Sequence, residues 1–113
     1  MHVVIFEVEP TEGGRATYLK IARQLRAELE TIDGFISIER FESLVTPGKV
    51  LSLSTWRDEA SITRWRERMA HQAAQERGRS ELFKRYRIRV AEVARDYDLE
   101  TSPWREPNKA PAE

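Results

Sequence analysis

The chain reads as an α+β domain with the element order β-α-β-β-α-β, and three observations carry that reading. A β-branched and aromatic run, VVIFEV, opens the sequence at residues 3–8. Two later stretches carry apolar residues at helical spacing, one ending at Asp33-Gly34 and the other starting after Asp58. Between them, two alternating segments are joined by Thr46-Pro47-Gly48, which is tight-turn chemistry.

Each element has its own justification. The first strand stops at Glu9-Pro10, and Thr11-Glu12-Gly13-Gly14 reads as a turn. Tyr18, Ala22, Leu25, Leu29 and Ile32 then form one apolar stripe among Arg and Glu side chains, so an amphipathic helix follows. Gly34 closes it as a residue able to take the left-handed conformation. The second strand spans residues 35–44, with Ile36 and Ile38 expected on one face and Phe35, Ser37, Glu39 and Phe41 on the other. The third runs from Lys49 to Trp56 and pairs with it as an antiparallel hairpin. Asp58 caps a second helix over about residues 59–77, with Ile62, Trp65, Met69 and Ala73 on its apolar stripe and Gly78 at its end.

Residues 82–97 satisfy two periods. Tyr86, Ile88 and Val90 alternate as in a strand, whereas Phe83, Tyr86, Val90, Val93 and Tyr97 fit a helical stripe. Element order decides for the strand, because a final strand completes the ferredoxin-like βαββαβ pattern: a four-stranded antiparallel sheet with two helices on one face. The domain is placed at residues 1–97. Residues 98–113, with Pro103, Pro107 and Pro111, are expected to form an irregular arm that is either anchored by Trp104 or disordered.

Composition narrows the function classes. At 113 residues the chain suits one domain with a modest core. Lys plus Arg and Asp plus Glu are both 19, so no charge imbalance points to nucleic acid or an anionic membrane. No apolar run approaches the roughly 18 residues of a membrane span, and no signal peptide precedes the first strand, so the expectation is a cytoplasmic domain. The absence of Cys excludes disulfides, a thiolate nucleophile and Cys-based metal sites. No Asp, Glu and His set has metal-ligand spacing, so no metal is expected. Arg77, Arg79, Lys84, Arg85, Arg87 and Arg89 are interspersed with acids and read as a solvated, ion-paired face.

The element order, the second strand GFISIERFES, the LSLSTWRDE run into the second helix, and the late RIRVAEVARDY segment resemble the antibiotic biosynthesis monooxygenase superfamily over roughly residues 2–97. That resemblance implies a dimeric α+β barrel: protomers pair through their sheets, the last strand reaches towards the partner, and a cavity lies between helices and sheet. It also implies either a cofactor-independent oxygenase of anthrones or quinols, a haem-degrading enzyme, or a small protein of other activity.

Residue by residue, Trp56 matches the strand-end Trp that lines the substrate cavity of the polyketide oxygenases. An indole offers a flat apolar wall and one donor, although the same residue also suits closure of the core beneath the second helix. Ser52 stands where those oxygenases place an Asn against the substrate oxygen. Trp65 resembles the helix Trp of the haem-degrading branch, but the Asn and proximal His of that branch fall on Phe6 and Gln75. Haem ligation by His71, one turn earlier, is therefore the alternative rather than the leading reading. As a general base, His71 has an ordinary pKa suited to taking a proton from a quinol at neutral pH, and a solvated surface position suits it too.

The expected site thus comprises His71 and Trp65 as catalytic residues and Trp56, Ser52, Phe6 and Arg87 as substrate contacts. The expected chemistry is cofactor-independent oxygenation of an aromatic molecule, with haem binding or non-catalytic small-molecule binding as the alternative. A homodimer is expected as well. Phe35, Phe41 and the apolar residues of the last strand are assigned to the bare face of the sheet, where they expose too much apolar surface for a monomer.

Overall fold

The computed structural model describes residues 1–75 and 82–104, and for residues 70–75 it describes the backbone course alone. The elements follow the expected order: β1 (His2–Pro10), α1 (Arg15–Leu29), β2 (Phe35–Glu42), β3 (Val50–Trp56), α2 (Glu59–Gln75) and β4 (Phe83–Glu92). The four strands form one antiparallel sheet in the order β2-β3-β1-β4, which is the ferredoxin-like arrangement.

Residues 83–92 are a strand, paired to β1 along its length. The strand periodicity wins because β1 needs a partner on its free edge. The expected end of α2 at Gly78, together with Arg77, Arg79 and Glu81, lies outside the described residues.

Register fixes which side chains share a face. On β3, Val50, Ser52, Ser54 and Trp56 are buried while Leu51, Leu53 and Thr55 are half-buried, so the first set faces the helices. Their partners on β1 are Val8, Phe6, Val4 and His2. Across β1, Tyr86, Ile88 and Val90 stand opposite Val8, Phe6 and Val4. The apolar residues of the last strand therefore lie on the helix side, not on the bare face where alternation alone had placed them. The bare face of β4 carries Arg85, Arg87, Arg89 and Ala91.

A second correction concerns β2. The register shifts between Phe35 and Ser37, a bulge that adds one residue and inverts the phase ahead of it. Phe35 and Ile38 consequently both pack on the core, and Ile36 is left exposed. The strand also ends earlier than expected, with Leu44 and Val45 fully solvated in the hairpin. The turn at its tip closes from the Lys49 N–H to the Thr46 carbonyl, with Gly48 at φ +80°. Pro47 followed by a positive-φ glycine is the type II pattern.

The core has two parts. Leu29, Ile32, Trp56 and Ile62 form one, with Val4, Phe35, Ile38 and Trp65 packed around it. Val8, Tyr18 and Val50 form the other, with Phe6, Leu19 and Phe83 around it. Helix α1 contributes Tyr18, Ala22 and Leu29. It ends four residues before the expected stop, and Ile32 reaches the core from the following turn through its N–H bond to the Leu29 carbonyl.

Gly34 does adopt a left-handed conformation, at φ +95°, but in the turn into β2 rather than as the helix cap. From residue 93 to residue 104 the chain is irregular, and Trp104 packs edge-on against Tyr97 at 5.3 Å between ring centroids.

Candidate functional site

Strand β3 runs directly into α2, and that junction is built from charge. Asp58 accepts the Ser61 N–H at 2.9 Å and the Ser61 hydroxyl at 2.6 Å, which is an N-cap. Those bonds, and then the Arg57 guanidinium, hold its carboxyl far below the usual carboxylate range. Arg57 also grips Asp33 with both arms, at 3.1 and 2.9 Å, which lowers the Asp33 pKa as well. The α1–β2 turn is thereby tied to the start of α2, and α2 is set over the end of β3.

Trp56 sits beneath that junction. It has no exposed surface, and its indole N–H donates to the Ser54 hydroxyl at 2.9 Å. Phe35 meets it edge-on at 5.3 Å, and Trp65 of α2 stacks on it at 6.4 Å and 30°. Trp56 is therefore a core residue here, with its one donor already used. The half-buried Trp65 is the indole that keeps open surface.

Phe6 and Ser52 belong to the other end of the same face. Four residues separate Ser52 from Trp56, about 13 Å along the strand. Phe6 stands opposite Ser52 and Ile88. Its ring contacts Phe83 at 6.2 Å and Tyr86 at 5.9 Å, and Phe83 also meets Tyr18 at 5.5 Å. This aromatic cluster borders open solvent at the β4 edge, where Tyr86, Ile88 and Val90 are 63%, 53% and 46% exposed on the helix side.

Arg40 completes the row on β2, opposite Ser52. Burial raises the Tyr18 pKa, while the charge and hydrogen bond of Arg40 pull it the other way, so guanidinium and phenol are neighbours. The Nε of Arg40 is buried with no hydrogen-bond partner.

The expected site residues are thus brought together only in part. Phe6, Ser52, Trp56 and Trp65 share the helix side in two groups. Arg87 does not join them: its register partner is Glu7, on the opposite face. There Glu7 is the hub of two ion pairs, with Lys49 at 3.5 Å and Arg89 at 3.1 Å. Burial works to raise its pKa, and these two cations outweigh that and lower it. The His71 side chain lies outside the described residues, as does that of Gln75.

Sequence reasoning missed Tyr18, Arg40, Phe83 and Tyr86 as a group. A usable signal existed, since Arg40 alternates in phase with Ile38. It also assigned nothing to His2, whose Nδ1 is buried without a partner and whose Nε2 is 3.9 Å from Glu92.

The surface cavities formed by described residues include a larger and a smaller one. One of about 480 Å³ lies between Val3 and residues 92–97, and one of about 220 Å³ lies beside Phe41, Lys49 and Leu51. Both are away from the aromatic cluster. No helix among the described residues is long and apolar enough to cross a membrane.

Fold and site together define a small ferredoxin-like α+β protein with an aromatic-lined, partly open helix face. The sequence profile of the antibiotic biosynthesis monooxygenase family matches residues 1–77, and the chain belongs to that family. It is 50% identical over 93 residues to a protein named jasmonate monooxygenase ABM from Pyricularia oryzae, an alignment covering 82% of this chain and 43% of the relative. The chain thus spans less than half the length of that relative. It is also 31% identical over 94 residues to the protein YqjZ of Bacillus subtilis, covering 83% of this chain and 80% of YqjZ. Among solved structures, the haem degrader MhuD of Mycobacterium tuberculosis, determined with two haems bound, superposes with a TM-score of 0.68 at 15% identity, covering 87% of this chain and 100% of MhuD. At that identity the likeness is one of fold.

At the first-strand position where the haem-degrading branch has an Asn, Phe6 offers no polar group; the positions that bear on a haem ligand, His71 and Gln75, have side chains outside the described residues.

Proposed function

We propose that the protein is a monooxygenase acting, without metal, flavin or haem, on a small apolar ring compound bound against the helix side of the sheet. The observation that carries this reading is the Phe6, Phe83 and Tyr86 cluster, open at the β4 edge, in a chain of the monooxygenase family. Aromatic walls hold a flat ring by apolar contact and keep water from it.

An anthrone or quinol substrate supplies the reducing power itself. In the anthrone case the methylene carbon gains one oxygen atom as a ketone. The second oxygen of O₂ leaves as water with the two methylene hydrogens. The protein's part is to bind the ring, accept the first proton and exclude solvent. In this proposal His71 accepts that proton, the ring lies against Phe6 with Ser52 at its carbonyl, and Trp65 walls the other end of the face. The name of the Pyricularia relative supports a cyclopentanone carboxylic acid as a second type of ligand for the same face, one that lacks the reducing power of an anthrone or quinol.

We place the working form as a cytoplasmic homodimer joined through the bare face of the sheet. Val3, Ile5, Leu51, Leu53 and Phe41 share that face by register, and Phe41 is 45% exposed.

Oxygen uptake tests the activity. Anthrone and naphthohydroquinone are supplied in turn to the purified protein. One O₂ consumed per ketone formed from anthrone, with the rate lost in His71→Ala, is the expected result. No rate above background with either overturns the reading. A Soret band that shifts and saturates on haem titration points instead to the haem-binding alternative.

A further inference from the structure

We propose that Arg40 is a carboxylate-binding residue, so that the helix-side site takes small organic acids with an apolar body. The proposal rests on the helix face as the place where small molecules bind. It adds the residue that receives an acid group, which the oxygenase reading does not name.

The case begins with an arginine in an unusual place. Arg40 alternates in phase with Ile38, so it stands on the helix side of β2, among core positions. It is half-buried, and its Nε is fully enclosed with no hydrogen-bond partner. A guanidinium taken out of water normally recovers the cost through a carboxylate and hydrogen bonds to its remaining protons. Among the described residues Arg40 makes no ion pair with a carboxylate. Its described polar neighbour is the Tyr18 phenol, a neutral group. An Nε–H and an adjacent Nη–H form the edge of arginine that accepts a carboxylate in two parallel bonds, and here half of that edge is unused.

The register then supplies the rest of the ligand. Arg40, Ser52, Phe6 and Ile88 form one row across all four strands on the helix side. Strands lie about 4.8 Å apart, so Arg40 and Ile88 are some 14 Å apart at the backbone. The row starts with a cation, passes a buried hydroxyl, and ends in apolar side chains where Ile88 and Tyr86 are more than half exposed. A molecule with a carboxylate at one end and a ring or short chain at the other matches that order in length and polarity.

Two probes of equal apolar body separate the charge from the rest: 1-naphthaleneacetic acid and its methyl ester, titrated calorimetrically under anaerobic conditions. Wild-type protein is expected to bind the acid about tenfold or more tighter than the ester. Arg40→Met should remove that preference while leaving ester affinity within about twofold. Arg40→Lys keeps the charge and a folded site but loses the Nε edge, and should give an intermediate preference. An acid-to-ester ratio unchanged in both variants overturns the proposal. So does failure of the acid to bind wild-type protein at millimolar concentration. Because the titration needs no turnover, selective acid binding without oxygen uptake leaves the Arg40 site standing and defeats the oxygenase reading. Oxygen uptake without acid selectivity does the reverse.

Discussion

The indole N–H of Trp56 donates to the hydroxyl of Ser54, two residues earlier on the same strand, at 2.9 Å and with both side chains buried. Side chains at i and i+2 share a face, so β3 satisfies its own buried donor without help from a helix. Ser54→Ala leaves that N–H unpaired in the core and should cost about 1–3 kcal/mol in urea unfolding. In a Trp56→Phe background the same change should cost nearly nothing, because the donor has gone. Equal costs in the two backgrounds would show that the bond contributes nothing.

Gly34 and Ser61 meet across the turn into β2. A Cβ on Gly34 would overlap the Ser61 side chain, and φ +95° already disfavours any residue with one. Gly34→Ala should therefore lose about 2 kcal/mol or more of stability. Gly13→Ala is the control: a Cβ there meets nothing within 4 Å, and the change should be neutral or slightly stabilising. A Gly34→Ala protein as stable as Gly13→Ala would contradict the packing described.

The Asp58 cap gives an acid-dependent contribution. Bonds from Ser61 and then Arg57 depress its pKa in the folded state below the unfolded value near 3.8. A depressed carboxyl contributes stability that is present above the unfolded pKa and lost as pH falls through the folded one. Asp33, held by Arg57, acts in the same direction. The thermal midpoint should fall as pH drops from about 5 towards 2. Asp58→Ala should lower the midpoint at neutral pH by a few degrees and flatten that fall. A variant with the wild-type acid slope would assign the dependence to other groups.

Much of this was legible in the chain. Alternation in β3, the Asp58 cap and the turn at Pro47-Gly48 each follow from local chemistry. The strand at residues 83–92 was not decidable from periodicity, and only the need for a fourth strand settled it. Faces were harder still. The extra residue at Ile36 is invisible because Phe35, Ile36 and Ile38 are all apolar, so either phase buries something suitable. Which side of β4 meets the helices depends on its register with β1, and no local pattern encodes that register. Tyr86 thus moved to the helix side and Arg87 away from it. Trp56 shows the same limit, since an indole suits a cavity wall and a core equally until Phe35 and Trp65 close around it.

The bare face of the sheet carries the last prediction. Leu53 stands opposite Ile5 on one side and Glu39 on the other, near the middle of that face. Around the apolar strip, Glu7 is paired with Lys49 and Arg89, and Glu9 with Arg85 at 3.1 Å. That arrangement is an apolar centre with a charged rim, the anatomy of a protein interface. Two-fold pairing through it places the same patch on both partners, so one substitution is met twice. Leu53→Arg puts two cations into the centre, where Glu39 stands opposite each on β2, and taking those charges out of water costs more than the pairing returns. Sedimentation equilibrium should report wild-type protein at twice 13.2 kDa and Leu53→Arg at 13.2 kDa. The variant should still unfold cooperatively, because Leu53 points away from the helix-side core. A wild-type species of 13.2 kDa alone, or a variant that stays at the doubled mass, would remove this face as the interface.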